Sequence, residues 1–223
     1  MQYSINLLSL SLCVGVFLSA STLPFNAEAS PFSDRLLGKE RSSRSSGPKP
    51  ADLISNFNES CASLLLAQSR LNLAFGLKEE AAQSATDYAA LTTGGIDKDQ
   101  MKSIMKRSKR NDELLAKKMD ETKSLSKEGR KHYVDAIVPF AFGIYKMSGL
   151  KKDYENFTKN QSKGNKLLKF IKDYKTIKMA IYIGKELPGY FGSFYSTSSK
   201  MLSFANKQKI PVPKKATDYL DQL

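Results

Sequence analysis

The sequence predicts an all-α protein: an irregular bundle of five or six helices, preceded by a signal peptide and a flexible arm. Apolar residues recur at helical spacing in successive segments between residues 51 and 223. No segment alternates apolar and polar residues for long enough to predict a strand, and Gly and Pro residues separate the helical segments. We therefore expect one helical domain over residues 51–223.

Residues 1–29 have the pattern of a cleavable signal peptide. The apolar run over residues 7–18 is about a dozen residues long, shorter than a membrane-spanning helix requires. Ala27 and Ala29 place small residues where a signal peptidase needs them, so Ser30 is the expected mature N-terminus, and residues 19–21 offer a weaker alternative cut. The segment before the apolar run lacks Lys and Arg, which is the one departure from this pattern. We expect export, either to the periplasm or out of the cell, and no transmembrane span in the mature chain.

The charge of the chain is strongly basic. Its 35 basic and 22 acidic residues give a formal net charge of +13, and cleavage after Ala29 would remove one acidic residue, Glu28, and raise this to +14. Outside the cytoplasm such a charge favours anionic lipid, lipopolysaccharide, another acidic envelope polymer or an acidic protein as partner, and it disfavours nucleic acid. The alternative is that the lysines only keep a helical protein soluble.

Residues 30–50 form the expected flexible arm, because the Ser, Arg, Gly and Pro content of residues 40–50 cannot bury enough surface to order the segment. The first helix follows, with apolar residues from Leu53 to Phe75 on one side. Gln68 lies within that apolar stripe and Asn72 at its edge, which predicts either an interhelix hydrogen bond or a polar contact in a ligand pocket. A second helix, marked by the alanines of residues 81–89, should end at residues 94–95.

The third helix has a clear start, because Asp97 and Gln100 have the spacing of a capping box. Its apolar stripe is interrupted by Ser108 and Asp112, which predicts a kink or an end to packing beside a basic cluster that faces solvent. This cluster belongs to the candidate anion-binding surface, whose members on the third helix are Lys102, Lys106, Arg107, Lys109 and Arg110.

Ser126 should open the fourth helix, which we expect to bend at Pro139 and to end near Gly149. After a polar segment over residues 151–164, the fifth helix sets apolar residues against a basic face. That face completes the candidate anion-binding surface with Lys166, Lys169, Lys172 and Lys175. The same pattern is typical of a helix that lies in a membrane interface, so peripheral membrane contact is a second interpretation.

An aromatic segment over residues 179–195 is interrupted by one Pro and three Gly residues, which predicts a helix hairpin with a bend near Pro188. Its rings either close the hairpin as core or present a contact surface for an apolar ligand. The candidate contact residues are Tyr182, Tyr190, Phe191, Phe194 and Tyr195. A short helix over residues 217–223 should end the chain.

Few residues in this sequence could carry catalysis. Beyond the signal peptide Cys61 is the only cysteine and His132 the only histidine, and no metal-ligand spacing, nucleophile elbow or phosphate-binding loop is present. We expect no catalytic residues, no metal and no cofactor. The expected function is that of an exported binding protein for an anionic envelope component. The alternative is a periplasmic carrier or chaperone-like protein that holds an apolar ligand or an unfolded client on its aromatic residues.

Overall fold

A computed structural model describes residues 49–162 and 174–223, with the side chains of residues 49–157 and 175–223. This part of the chain is helical and contains no strand, so the all-α prediction is confirmed, with six helices. They are α1 (Pro50–Ala74), α2 (Lys78–Thr93), α3 (Lys98–Glu121), α4 (Lys127–Ser162), α5 (Tyr174–Lys207) and α6 (Lys214–Leu220). The predicted signal peptide and the arm up to residue 48 lie outside the described residues.

Helix α1 is the centre of the bundle, because it contacts α2, α3, α4 and α5. Its large apolar side chains are buried as predicted, including Phe57, Leu64 and Leu71. Small residues on its other faces allow the neighbouring helices to approach closely. The Ser60 hydroxyl donates a hydrogen bond of 2.7 Å to the carbonyl of Gly143 on α4, and the Ser69 hydroxyl one of 2.9 Å to the carbonyl of Ala81 on α2.

The first turn of the bundle shows why the chain reverses where it does. Gly76 has φ +75°, a conformation that residues with a Cβ rarely adopt. The amide of Leu77 donates to the carbonyl of Asn72, and the amide of Gly76 to that of Leu73. These two bonds form a Schellman motif, which satisfies carbonyls at the end of α1 and sends the chain into α2.

Helix α3 begins at the predicted capping box, in which the amide of Gln100 donates to Asp97 Oδ1 and the amide of Asp97 donates to Gln100 Oε1. The predicted end to packing is wrong. Helix α3 is continuous over Lys98–Glu121, and both Ser108 and Asp112 are buried. Packing continues past them because Gln68 of α1 supplies the hydrogen-bond partner that each one needs.

Helix α4 starts at Ser126, whose hydroxyl accepts a hydrogen bond of 3.0 Å from the amide of Gly129. It runs through Gly149 to Ser162, so the predicted end near Gly149 is wrong. A single glycine costs a helix only about 1 kcal/mol, and packing overrides that cost. Helix α6 packs on α4, and its Tyr219 ring lies 5.3 Å from the Phe142 ring and 5.5 Å from the Tyr145 ring of α4.

Helix α5 runs through the predicted break, so the helix hairpin at Pro188 is wrong. Its buried residues Ile183, Leu187 and Phe194 anchor both sides of the proline to the core. Gly184 is required for this packing, because a Cβ there would lie 1.6 Å from a ring carbon of Tyr154 on α4. Pro139 and Pro188 both lie inside continuous helices, and the bend expected at each stays a prediction. None of the described helices is long and apolar enough to cross a membrane.

Candidate functional site

Four cations of the predicted surface lie together on the outer side of α3. Lys102, Lys106, Lys109 and Arg110 are exposed, and their spacing places them within one arc of the helix along about 12 Å of its axis. We call this set the α3 basic stripe. No described side chain forms an ion pair with any of the four. The stripe therefore presents four charges that form no ion pair with a described residue.

The side of α3 opposite the stripe packs into the core. The opposite side of α3 buries a continuous set of side chains, which are Met101, Ile104, Met105, Ser108, Asn111, Asp112, Leu115 and Met119. Two acidic residues, Asp99 and Glu113, are exposed at the two ends of the stripe. A helix fixed along one whole face loses little further backbone freedom when its other face binds a partner.

Arg107, which the sequence grouped with these cations, has a different role. Its Nε donates a hydrogen bond of 2.9 Å to Asp87 Oδ2, and its Nη2 donates one of 2.7 Å to Asp87 Oδ1 on α2. The hydrogen bonds to this carboxylate raise the pKa of Arg107 further, against the opposing effect of burial. Asp87 is only 3% exposed and also accepts a hydrogen bond of 3.1 Å from Gln83. Arg107 therefore joins α2 to α3, and its charge is balanced.

The remaining predicted cations lie on the fifth predicted helix. Lys166, Lys169 and Lys172 lie outside the described residues. Lys175 is exposed in the first turn of α5. The predicted anion-binding surface is thus described for its α3 half and for Lys175.

A cleft of about 260 Å³ opens between α2 and α3, next to the stripe. It is lined by Leu65, Glu80, Gln83, Ser84, Asp87, Arg107, Ser108, Arg110, Asn111 and Leu114. The Nδ2 of Asn111 donates a hydrogen bond of 3.2 Å to the Ser84 hydroxyl, but its Oδ1 is buried and has no hydrogen-bond partner among the described residues. The pattern of the sequence does not predict this cleft. The helical spacing of Glu80, Ser84 and Asp87 places them on one face of the second helix. The sequence does not show which helix packs beside that face.

A buried polar network links three helices. Gln68 Nε2 of α1 donates hydrogen bonds to the Ser108 carbonyl, at 3.0 Å, and to Asp112 Oδ1, at 2.7 Å, and the Ser108 hydroxyl donates to Gln68 Oε1. Ser193 of α5 donates to Asp112 Oδ2 at 3.4 Å. Burial is the main cause that raises the pKa of Asp112 to about 7, and the hydrogen bonds from Gln68 and Ser193 oppose it. Of the two interpretations of Gln68, the structure shows the interhelix hydrogen bond.

The aromatic segment packs against the bundle with one side. Phe194 is buried, Tyr182, Tyr190 and Phe191 are half-buried, and Tyr195 is 51% exposed. The hydroxyls of Tyr182 and Tyr190 are 3.1 Å apart, and the Tyr190 ring lies 6.2 Å from the ring of Phe57 on α1. Burial raises the pKa of Tyr190. Four of the five candidate contact residues therefore contribute wholly or partly to packing.

One apolar cavity of the bundle is very small. A cavity lined by residues of α4, α5 and α6, including Phe140, Met201 and Leu220, has a volume of about 10 Å³. That is roughly the volume that one water-sized probe occupies. It is far too small for a lipid.

Cys61 and His132, the two residues with catalytic potential, form no hydrogen bond with each other. Cys61 is 1% exposed, and burial raises the pKa of its thiol, so its thiolate is disfavoured. His132 lies 3.8 Å from Glu128 on the same helix, and no hydrogen bond links it to Cys61. Among the described residues no group of three or more His, Cys, Asp or Glu side chains could hold a metal ion.

No protein-family model, curated protein or solved structure matches this chain. The contacts, burial and charges of the described residues are therefore what bears on its function.

Proposed function

We propose that this chain is an exported, non-enzymatic binding protein that contacts an anionic envelope component through the α3 basic stripe. The component is an anionic lipid, lipopolysaccharide, another acidic polymer or an acidic protein. The observation that supports the proposal is the set of four exposed cations without ion-pair partners on one side of a helix whose other side is buried.

The contrast with the other cations of the fold strengthens this interpretation. Arg107 pairs with Asp87, Lys146 lies 2.9 Å from Glu59, and Lys200 lies 2.6 Å from Asp120. These three cations join helices through carboxylate partners, and Arg70 and Arg130 bind backbone carbonyls of other segments instead. The cations of the stripe have neither kind of partner among the described residues. The charges of the stripe are thus available to an external anion. The alternative, that they only keep the protein soluble, predicts no loss of vesicle binding specific to the stripe.

The size of the stripe sets the expected strength of binding. A basic side chain near an anionic surface contributes about 1 kcal/mol, so four give about 4 kcal/mol, which corresponds to a Kd of about 1 mM. Binding should therefore be reversible and sensitive to salt, since the Debye length falls to about 3 Å at 1 M salt. Further lysines, such as Lys175, would strengthen it.

The carrier alternative has less support. An apolar ligand would need interior space, and the apolar cavity beside Phe140 holds about 10 Å³. An unfolded client would need an exposed apolar surface, and on α5 the large hydrophobic residues with exposed surface are Ile181 and Tyr195. Two separate exposed side chains are ordinary for a protein surface.

Co-sedimentation with vesicles tests the proposal. The probes are vesicles of phosphatidylcholine alone, the same vesicles with phosphatidylglycerol added, and lipopolysaccharide, each at about 20 mM and about 500 mM salt. We expect binding to the two anionic probes at low salt, its loss at high salt, and no binding to phosphatidylcholine. Absence of binding to both anionic probes at low salt would contradict the proposal.

A matched pair of triple variants tests the role of the stripe. One carries Lys102→Gln, Lys106→Gln and Lys109→Gln. The control carries Lys123→Gln, Lys127→Gln and Lys131→Gln, which removes the same charge from exposed positions before and in the first turns of α4. The stripe variant should lose at least about tenfold in vesicle affinity, while the control keeps most of it. Equal loss in both variants would show that net charge, and not the stripe, drives binding.

Export has its own test. The intact mass of the protein recovered from its own cells should correspond to a chain that begins at Ser30. A soluble cytosolic protein that still begins at Met1 would contradict export and, with it, the choice of an envelope partner.

A further inference from the structure

The cleft between α2 and α3 carries two charges of opposite sign on its facing walls. Glu80 is on the α2 wall and Arg110 on the α3 wall. No ion pair joins them, and no other described side chain forms an ion pair with either one. The charges of Arg107 and Asp87, which also line the cleft, are balanced by each other. The cleft therefore has no excess charge, but it has a separate unpaired cation and unpaired anion.

A third polar group of the cleft lacks a partner. Asn111 is 8% exposed and lines the cleft, and its Oδ1 is buried without a hydrogen-bond partner among the described residues. A buried amide oxygen left without a donor costs about 1–3 kcal/mol, so a donor supplied by a ligand would recover this free energy. Leu65 and Leu114 add apolar surface to the same cleft.

We propose that this cleft binds a small zwitterion with an apolar body, of the class of a free α-amino acid. The ammonium group donates a hydrogen bond to the Glu80 carboxylate, and a second one to Asn111 Oδ1 once the amide turns to uncover that buried atom. The carboxylate accepts from Arg110, and the aliphatic side chain packs on Leu65 and Leu114. This ligand matches Glu80, Arg110 and Asn111 each with a group of opposite charge or opposite hydrogen-bonding character.

Other ligand classes fit the lining less well. A phosphate or polyanion would pair with Arg110 but would leave the Glu80 carboxylate unpaired and would be repelled by its like charge. A neutral sugar would displace water from Glu80 and Arg110 without neutralising either one. The volume of about 260 Å³ lies below the roughly 300 Å³ at which pockets for drug-sized ligands begin, which favours a small solute.

Calorimetric titration of the full chain tests this inference with three probes. L-leucine has both charged groups, N-acetyl-L-leucine lacks the ammonium charge, and L-leucinamide lacks the carboxylate. L-leucine should bind, and each blocked probe should bind at least about tenfold more weakly, because a hydrogen bond to a charged group contributes about 1.5–3 kcal/mol. Absence of L-leucine binding up to about 10 mM, or equal affinity for all three probes, would overturn the inference.

Two variants of the cleft test which charged side chain binds the ammonium group of the ligand and which binds its carboxylate. Glu80→Gln should weaken L-leucine at least about tenfold but leave N-acetyl-L-leucine unchanged, because that probe has no ammonium group to lose. Arg110→Gln should weaken L-leucine to the same extent but leave L-leucinamide unchanged. If either variant weakens all three probes alike, the assigned orientation is wrong, since the lost side chain then acts on the cleft as a whole.

The triple variant Lys102→Gln, Lys106→Gln and Lys109→Gln separates this inference from the proposed function. Its three substitutions lie outside the cleft lining. It should bind L-leucine like the parent protein while losing affinity for anionic vesicles. Loss of L-leucine binding in this variant would contradict the placement of the ligand in the cleft.

Discussion

Gln68 of α1 donates a hydrogen bond of 2.7 Å to Oδ1 of Asp112 on α3, deep in the bundle. Gln68 is fully buried and Asp112 is 2% exposed. Among the described residues no ion pair neutralises the Asp112 carboxylate. Burial therefore dominates and raises the pKa of this carboxyl group to about 7.

The free energy of unfolding should fall as the pH rises from about 4 to about 7. The pKa of Asp112 is about 7 in the folded protein and about 3.9 in the unfolded chain, so between these values the folded state holds a proton that the unfolded state has lost. The contribution is fully present below pH about 4 and is lost as the pH rises through about 7, with an upper magnitude of about 4 kcal/mol. Urea unfolding at a series of pH values measures it.

The variant Asp112→Asn isolates this effect from the other carboxyl groups. Asparagine keeps the shape and an acceptor for Gln68, but it carries no titrating proton. The variant should gain stability relative to the parent protein as the pH rises from about 4 to about 8. Parallel pH profiles for the two proteins would show that Asp112 does not titrate in this range.

Two glycines of α4 should respond to alanine in opposite directions. A Cβ at Gly143 would lie 2.6 Å from Cγ of the buried Leu64, whereas a Cβ at Gly149 meets nothing within 4 Å. Gly143→Ala should lower the free energy of unfolding by roughly 1–3 kcal/mol through overpacking. Gly149→Ala should raise it by about 0.5–1 kcal/mol, because alanine favours the helix. Thermal and urea unfolding measure both, and a loss of stability in Gly149→Ala would contradict the open space there.

The Arg107–Asp87 ion pair should be asymmetric, because the Arg107 side chain is 41% exposed and that of Asp87 only 5%. Arg107→Ala leaves a buried carboxylate without its cation and should cost about 2 kcal/mol. Asp87→Asn leaves a guanidinium that can turn to water and should cost about 1 kcal/mol. The double variant Arg107→Ala with Asp87→Asn should be more stable than Arg107→Ala alone, because it leaves no buried carboxylate without its cation.

Urea unfolding at neutral pH tests this order of stabilities. Lys117→Ala is the control, because the Lys117–Glu121 pair is exposed on both sides and should contribute little. A double variant less stable than Arg107→Ala would mean that Asp87 stabilises the fold without its partner.

Cys61 should be unreactive in the folded protein. It is 1% exposed, and burial raises the pKa of its thiol. In a chain with Cys13→Ser, Cys61 is the only thiol, and a disulfide reagent should modify it at least about 100-fold faster in denaturant than in buffer. An exposed cysteine placed at Ser199, with Cys61→Ser, supplies the control for a freely reactive thiol. Similar rates for Cys61 in both conditions would contradict its burial.

The local signals of the sequence predicted three helix boundaries. Asp97 and Gln100 marked the start of α3, residues 94–95 followed the end of α2, and Ser126 preceded α4. Each of these signals lies within a few residues of the boundary that it sets. A capping box or a turn is complete in its own short segment, and it needs no contact from elsewhere in the chain.

The wrong predictions depended on contacts between distant segments. The sequence shows three glycines and a proline in α5, but not the Tyr154 ring that lies over Gly184. It shows Asp112 on an apolar face, but not that Gln68 would supply its hydrogen bond. In both cases a local rule predicted an interruption, and tertiary packing overrode it.

The sequence by itself determined an all-α protein, the buried sides of α1 and α3, and a cluster of cations on α3, because helical spacing and charge are properties of one segment. It did not determine the buried side of α2, where Ala85 and Ala89 of the expected packing face are exposed and Ser84, Asp87 and Leu91 are buried. Only the tertiary structure decided which cations remain unpaired. It took Arg107 out of the cluster by pairing it with Asp87, and it placed Glu80 across a cleft from Arg110. Ion pairs and clefts need two helices, and how α2 and α3 meet follows from the packing of the whole core.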